Sequence, residues 1–175
     1  MSETIRLEPC SVYICLTQLL VPGFHWGLYF TDECSVATRH EWAEVRGRRD
    51  CTSPAEAYGV THMNPITETD QEGRMNLAFV KVQGYTLRPN QVPDLHALFS
   101  MLEPTGGSSS WIQNRKKGLS CRTWLMRALA TLQGASLLVR VDPISSIEEK
   151  VKEIGTIVEE RLGNGEDVGT LITEV

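Results

Sequence analysis

The sequence predicts an α+β domain, an antiparallel sheet packed against helices, and three observations carry that expectation. Residues 24–31 alternate strictly, with Phe24, Trp26, Leu28 and Phe30 on one side and His25, Gly27, Tyr29 and Thr31 on the other. That is the period of a half-buried strand. Residues 11–20 and 77–85 are rich in β-branched and aromatic side chains, which suit a pleated surface. Trp124, Leu125, Ala128, Leu129 and Leu132, and later Ile147, Val151, Ile154, Val158 and Leu162, recur at helical spacing.

The elements follow in order. The strand over 11–20 is broken by Pro22-Gly23. The strand over 24–31 buries its four large apolar residues and leaves His25 on the other face, beside Gly27, where a neighbour can approach closely. Asp32-Glu33 marks a turn, and 35–45 form a third strand antiparallel to the second. A loop centred between Asp32 and Glu33 pairs 25 with 40 and brings His25 and His40 together. A slip of one residue puts Glu41 near His25 instead.

Residues 46–73 are polar, with Gly47, Pro54, Gly59 and Pro65, and read as loops with one short strand around 57–61. After the strand over 77–85, Pro93 sits in the first turn of a helix with Leu95, Leu98, Met101 and Leu102 as its apolar stripe, ended by Pro104. Residues 105–110 are Gly/Ser-rich, a candidate lid over a site. The helix that begins at Cys121 stops at Gly134, and 136–141 read as a further strand. Ser145 and Ser146 each have a Glu three residues on, the capping-box pattern, at the start of a last helix over 144–163. Residues 164–175 form a polar, peripheral tail. The whole of 1–175 reads as one domain without internal repeats.

Composition narrows the function classes. The 175 residues, 41% hydrophobic and 22% charged, suffice for one domain with a real core. The net charge of −5, with a single basic run at Arg115-Lys116-Lys117, argues against nucleic acid as a partner. Five cysteines with no CxxC spacing speak against a disulfide framework or a Cys-rich zinc site. No HxH, HExxH or glycine-rich phosphate motif occurs, so no metal and no cofactor is expected. The polar start does not resemble a signal sequence, and no stretch is long enough to span a membrane. A cytoplasmic setting with free thiols is the expectation. The oligomeric state is left open.

The chemistry-bearing stretch is Gly118-Leu119-Ser120-Cys121-Arg122-Thr123-Trp124, a polar approach that runs into an apolar helix. A cysteine in a first helical turn meets unpaired N–H groups and the positive end of the macrodipole, which favour a thiolate. A nucleophilic thiol also needs a base, and the base needs an orienting group. His25 is the candidate base. His40, or alternatively Glu41 or Glu44, is the candidate orienter, and the N–H of Cys121 or Arg122 would serve a developing oxyanion. Against this stands the habit of cysteine to be buried simply as a packing residue.

His25-Trp26-Gly27-Leu28-Tyr29, Ala37-Thr38-Arg39-His40 and Ser120-Cys121-Arg122-Thr123-Trp124-Leu125 with Ala128-Leu129 occur in that order. The set resembles a group of small fungal proteins with an HWxLxx strand, a TRxH-type strand and a late NCxxWVxxAL helix. Through them it is similar to the circularly permuted papain-like thiol enzymes, the class of NlpC/P60, lecithin:retinol acyltransferase-like and PPPDE peptidase relatives. The resemblance covers roughly 11–135. It implies a permuted papain-like core, with Cys121 as nucleophile, His25 as base and His40 as third polar group, acting on a carbonyl or acyl substrate. Ser120 departs from the Asn or Asp that often precedes the cysteine, and Trp26 is bulkier than many members carry.

Two other function classes are kept. One is a non-covalent cyclase or isomerase of natural-product biosynthesis. Its apolar pocket for a small molecule would be lined by Trp26, Tyr29, Trp42 and Trp111, with His25 and His40 as hydrogen-bonding or acid–base groups. The other is a non-catalytic binding protein built on the same fold.

Overall fold

A computed structural model describes residues 4–45, 54–86, 93–102 and 109–175. The elements run β1 (Thr4–Ile5), β2 (Val12–Gln18), β3 (Phe24–Thr31), β4 (Ala37–Glu44), β5 (Ala55–Met63), β6 (Ile66–Thr67), β7 (Asn76–Lys81), α1 (Leu95–Ser100), β8 (Ser109–Ser110), α2 (Trp111–Lys116), α3 (Cys121–Gly134), α4 (Ile144–Gly163) and β9 (Leu171–Glu174). The main sheet has the order β8-β5-β4-β3-β2-β7-β9. All its neighbours are antiparallel except β7 and β9, which pair in parallel across the α4 connection. The fold is thus mixed α+β with a mostly antiparallel sheet.

Both faces of the sheet are covered. The larger core lies on the helical side, where Ile14, Leu16, Trp26, Leu28, Phe30, Trp42 and Val80 meet Phe99 of α1, Trp124, Leu125 and Leu129 of α3, and Ile147 and Val151 of α4. On the opposite face Tyr13, Cys15, Tyr29, Ala37 and Phe79 pack beneath Leu7, Met63 and Ile66. The two-sided cover explains β2, whose first six residues are all buried where a one-sided strand would alternate.

The β3–β4 register departs from the expected one. Leu28 pairs with His40 and Thr31 with Ala37, so the turn is centred on Cys34. Asp32 causes the shift. Its side chain accepts from the N–H groups of Cys34 and Val36 at 2.8 and 2.9 Å, and Ser35 adopts φ 62°. The odd displacement moves His40 to the face opposite His25 and brings Glu41 to the His25 face.

Three other expectations are corrected. Residues 136–141 form no strand: Ser136 has φ 58°, and only Leu138 makes a bridge, to Tyr85. Helix α4 begins behind Pro143 without a side-chain cap, because the Ser146 hydroxyl donates back to the Pro143 carbonyl. The tail is not wholly peripheral, since β9 extends the sheet and the Val175 N–H donates to the Lys81 carbonyl. Of the candidate lid, only Ser109-Ser110 fall within the described residues, as β8. Cys51 lies outside them.

Candidate active site

Helix α3 starts where the chain is held by a buried carboxylate. Glu56 on β5 accepts from Trp42 Nε1 at 3.1 Å, from Asn114 Nδ2 at 2.9 Å, and from both terminal nitrogens of Arg115. Arg115 also donates to the Leu119 carbonyl at 2.6 Å, and the Leu119 N–H donates to the Asn114 carbonyl. Residues 114–119 are thereby fixed against the sheet, and Gly118, at φ 71°, makes the bend that only glycine takes without strain. The next residue, Ser120, caps α3. Its hydroxyl accepts from the Thr123 N–H, and the Thr123 hydroxyl accepts from the Ser120 N–H, a reciprocal box that satisfies two orphan donors. Cys121 therefore occupies the first helical position.

The sheet meets it from below. The β3–β4 ladder runs only from Thr31↔Ala37 to Leu28↔His40. Beyond that point the first turn of α3 lies against the start of β3. The Cys121 thiol neighbours the His25 ring and the backbone N–H groups of Trp26 and Arg122, all of which favour its thiolate. His25 Nε2 lies 2.7 Å from Glu41 Oε2. The other Glu41 oxygen, Oε1, is 2.8 Å from Arg39. Arg39 reaches it across Gly27, where an added Cβ would stand 3.5 Å from the Arg39 Cδ. The result is a chain of four groups, Cys121–His25–Glu41–Arg39, carried by α3, β3 and β4.

Charge distribution follows from these contacts. Burial works against the imidazolium, but its hydrogen bonds and attraction to Cys121 and Glu41 prevail and raise the His25 pKa to about 9. Burial likewise opposes a Cys121 thiolate, yet the neighbouring His25 ring and its charge, with the Trp26 and Arg122 N–H groups, hold the thiol below its ordinary range. Glu41 is depressed against its own burial by His25 and Arg39. Both shifts favour the thiolate and the imidazolium over the neutral pair, with a carboxylate bracing the ring.

Of the remaining sequence candidates, Trp42 and Glu44 border the same cleft, and His40, Trp26, Tyr29 and Trp111 do not line it. His40 is buried on the helical face, its Nδ1 2.7 Å from the Tyr58 hydroxyl and its ring against Phe30 and Phe99. Burial, then the charges of His96 and His62, lower its pKa to about 4, so it is a neutral core histidine at pH 7. Trp26 and Tyr29 are buried in opposite cores. Trp42 is also buried, its indole N–H spent on Glu56, and Trp111 stands 43% exposed at the start of α2. Alternation sends Trp26 and Tyr29 to opposite faces, so among the described residues these two do not line one pocket together. Glu44 lies at the exposed end of β4, on the cleft rim.

A cleft of about 710 Å³ opens over Cys121, His25, Arg39 and Glu41. Its floor includes Ala43, Gly59 and Thr61, and its rim Gln71, Glu72, Arg74 and Arg115. A second, more apolar cleft of about 570 Å³ borders Phe30, His40, Tyr85 and Leu95 but reaches neither His25 nor Cys121. Among the described residues no group of three or more His, Cys, Asp or Glu is placed to hold a metal ion, and no helix is long and apolar enough to cross a membrane. Sequence reasoning missed Glu56 and Arg39. A lone glutamate in a loop-like stretch and an arginine on a strand carry no spacing signal. No family model, curated protein or solved structure matches the chain.

Proposed function

We propose that the protein is a thiol-dependent hydrolase or acyltransferase acting on a carbonyl substrate. The single observation behind the reading is the juxtaposition of Cys121 with the hydrogen-bonded His25–Glu41 pair in one open cleft. The Cys121 thiolate attacks the carbonyl carbon and forms a C–S bond. The displaced electron pair rests on the carbonyl oxygen, which the Cys121 N–H at the positive end of α3 can hold. As the oxyanion collapses, the imidazolium of His25 gives its proton to the leaving group and a thioester remains. Neutral His25 then takes a proton from water or an acceptor hydroxyl or amine. That nucleophile expels the thiolate and restores the starting pair. Glu41 keeps the ring orientation throughout and stabilises the imidazolium whenever the ring carries its proton. It takes the place that the resemblance assigned to His40.

The order of strand histidine before helix cysteine supports the further reading of a permuted papain-like architecture. The cleft is also more polar than a cyclase pocket for a hydrophobic molecule would be, and Cys121 lies in it rather than away from it. The experiment is alkylation with iodoacetamide at neutral pH, mapped by mass spectrometry. Rapid labelling confined to Cys121 and lost in His25→Ala is expected. Sluggish, uniform labelling of all the cysteines would sink the proposal.

A further inference from the structure

We propose that Gly59 determines the size of the substrate group accepted beside the reacting carbonyl, an inference that rests on the thiol-enzyme reading of the same cleft. Gly59 sits in the interior of β5, where a glycine weakens a strand by its backbone entropy and by the absence of a packing side chain. Something must offset that cost, and the backbone does not require it. Gly59 is not among the glycines with positive φ, and an added Cβ would meet nothing within 4 Å. The contrast with Gly155 and Gly84 is plain, since at those positions a Cβ would run into Phe24 and into the Val139 carbonyl.

What Gly59 does adjoin is the site. It pairs directly with Glu41 across the β4–β5 ladder, so the two share a face, with Cβ positions about 5 Å apart. It lines the cleft together with Cys121 and His25, between Ala43 and Thr61. Any larger residue here would stand in the cleft immediately beside the His25–Glu41 pair. The open space suits a flat, ring-sized group carried by the acyl compound and lying on this floor of small side chains.

The test compares two haloacetamides on the full chain, iodoacetamide and N-(1-naphthyl)iodoacetamide. In both the Cys121 thiolate forms a C–S bond as the C–I bond breaks and iodide leaves. Gly59→Val puts a β-branched strand former at the position, so Tm should be unchanged or raised. Its iodoacetamide rate should stay within about twofold of the wild type, and its naphthyl rate should fall at least about tenfold, since the bulk of a valine side chain occupies the ring's place. An unchanged ratio of the two rates overturns the inference. So does a parallel fall of both, or a variant with lowered Tm or no fold, because each makes the glycine a backbone or geometric requirement. If wild-type Cys121 labels no faster than the other cysteines, the thiol-enzyme reading itself fails and takes this inference with it. A reactive Cys121 with an unchanged ratio overturns the Gly59 inference alone.

Discussion

Replacing Glu41 with glutamine removes the charge that holds His25 protonated while keeping the shape of the side chain. Glu41 Oε2 is 2.7 Å from His25 Nε2, inside a site where both side chains are largely buried. A hydrogen bond to a charged group in such a setting is worth about 1.5–3 kcal/mol, or about 1–2 pKa units at 1.36 kcal/mol each. The His25 pKa, raised to about 9 in the intact site, should therefore drop into the range of about 7–8 in Glu41→Gln. The assay is the rate of Cys121 alkylation as a function of pH. In the wild type the ion pair spans a plateau, from a lower limit set by the depressed thiol to an upper limit near 9, where the imidazolium loses its proton. Glu41→Gln should pull the upper limit down by about one to two units. Stability has the same sign. A histidine whose folded pKa is raised contributes fully below its unfolded value of 6.5, and the contribution disappears as pH climbs through about 9. A Glu41→Gln profile superimposable on the wild type would refute the assignment of Glu41 as the brace. A wild-type Cys121 titrating as an ordinary thiol would refute the ion pair.

Three other outcomes are expected. His40, lowered to about 4, resists protonation in the folded state, so the protein should lose up to about 3 kcal/mol as pH falls from 6.5 to 4. Urea midpoints across that range should show a flatter dependence in His40→Gln, with alkylation of Cys121 at pH 7 unaffected. Glu56→Gln should cost about 1.5–3 kcal/mol in denaturant titrations, through the weakened bonds from Trp42, Asn114 and Arg115, and should slow Cys121 alkylation by loosening residues 114–119. Full reactivity in that variant would show that Glu56 supports the fold without aligning the thiol. Gly155→Ala gains about 1 kcal/mol of helix propensity, yet its Cβ would lie 2.5 Å from Phe24 Cε2 and 2.9 Å from Leu16 Cδ1. Overpacking of about 1–3 kcal/mol should make the net effect a loss, and a higher Tm would disprove the close docking of α4.

The parts of the fold that were legible in the sequence are those where one periodicity acts alone. Strand β3 ends where its alternation ends, and the stripe of α3 is the one its spacing announces. His25 and Cys121 were both legible, one from strand parity and one from a helix start. Their third partner stayed open between His40, Glu41 and Glu44, because it depends on the length of a turn. Asp32 widens that turn through two backbone hydrogen bonds, and parity alone then exchanges His40 for Glu41. The resemblance pointed to His40 as well, so only the cross-strand register separates the two. Strand β9 is only four residues long and largely exposed, and it exists because β7 offers an edge, something no local pattern records. Helix α2 is equally hidden. It spans six residues and is held by Glu56, a residue more than fifty positions away.

The end of the β3–β4 ladder, into which α3 inserts its first turn, has a consequence for the history of the molecule. The sulfur and the imidazole it joins are nearly a hundred residues apart in the chain, so their meeting is among the long-range closures that folding reaches late. Until the helix layer docks on the sheet, Cys121 is a thiol like the others and His25 an ordinary imidazole. On the proposed thiol-enzyme reading, nucleophilicity is thus acquired together with the native state and is withheld from the nascent chain, where an activated sulfur would be open to indiscriminate modification. During refolding, the onset of selective alkylation at Cys121 should keep time with the last phase of compaction and lag behind the appearance of strand and helix.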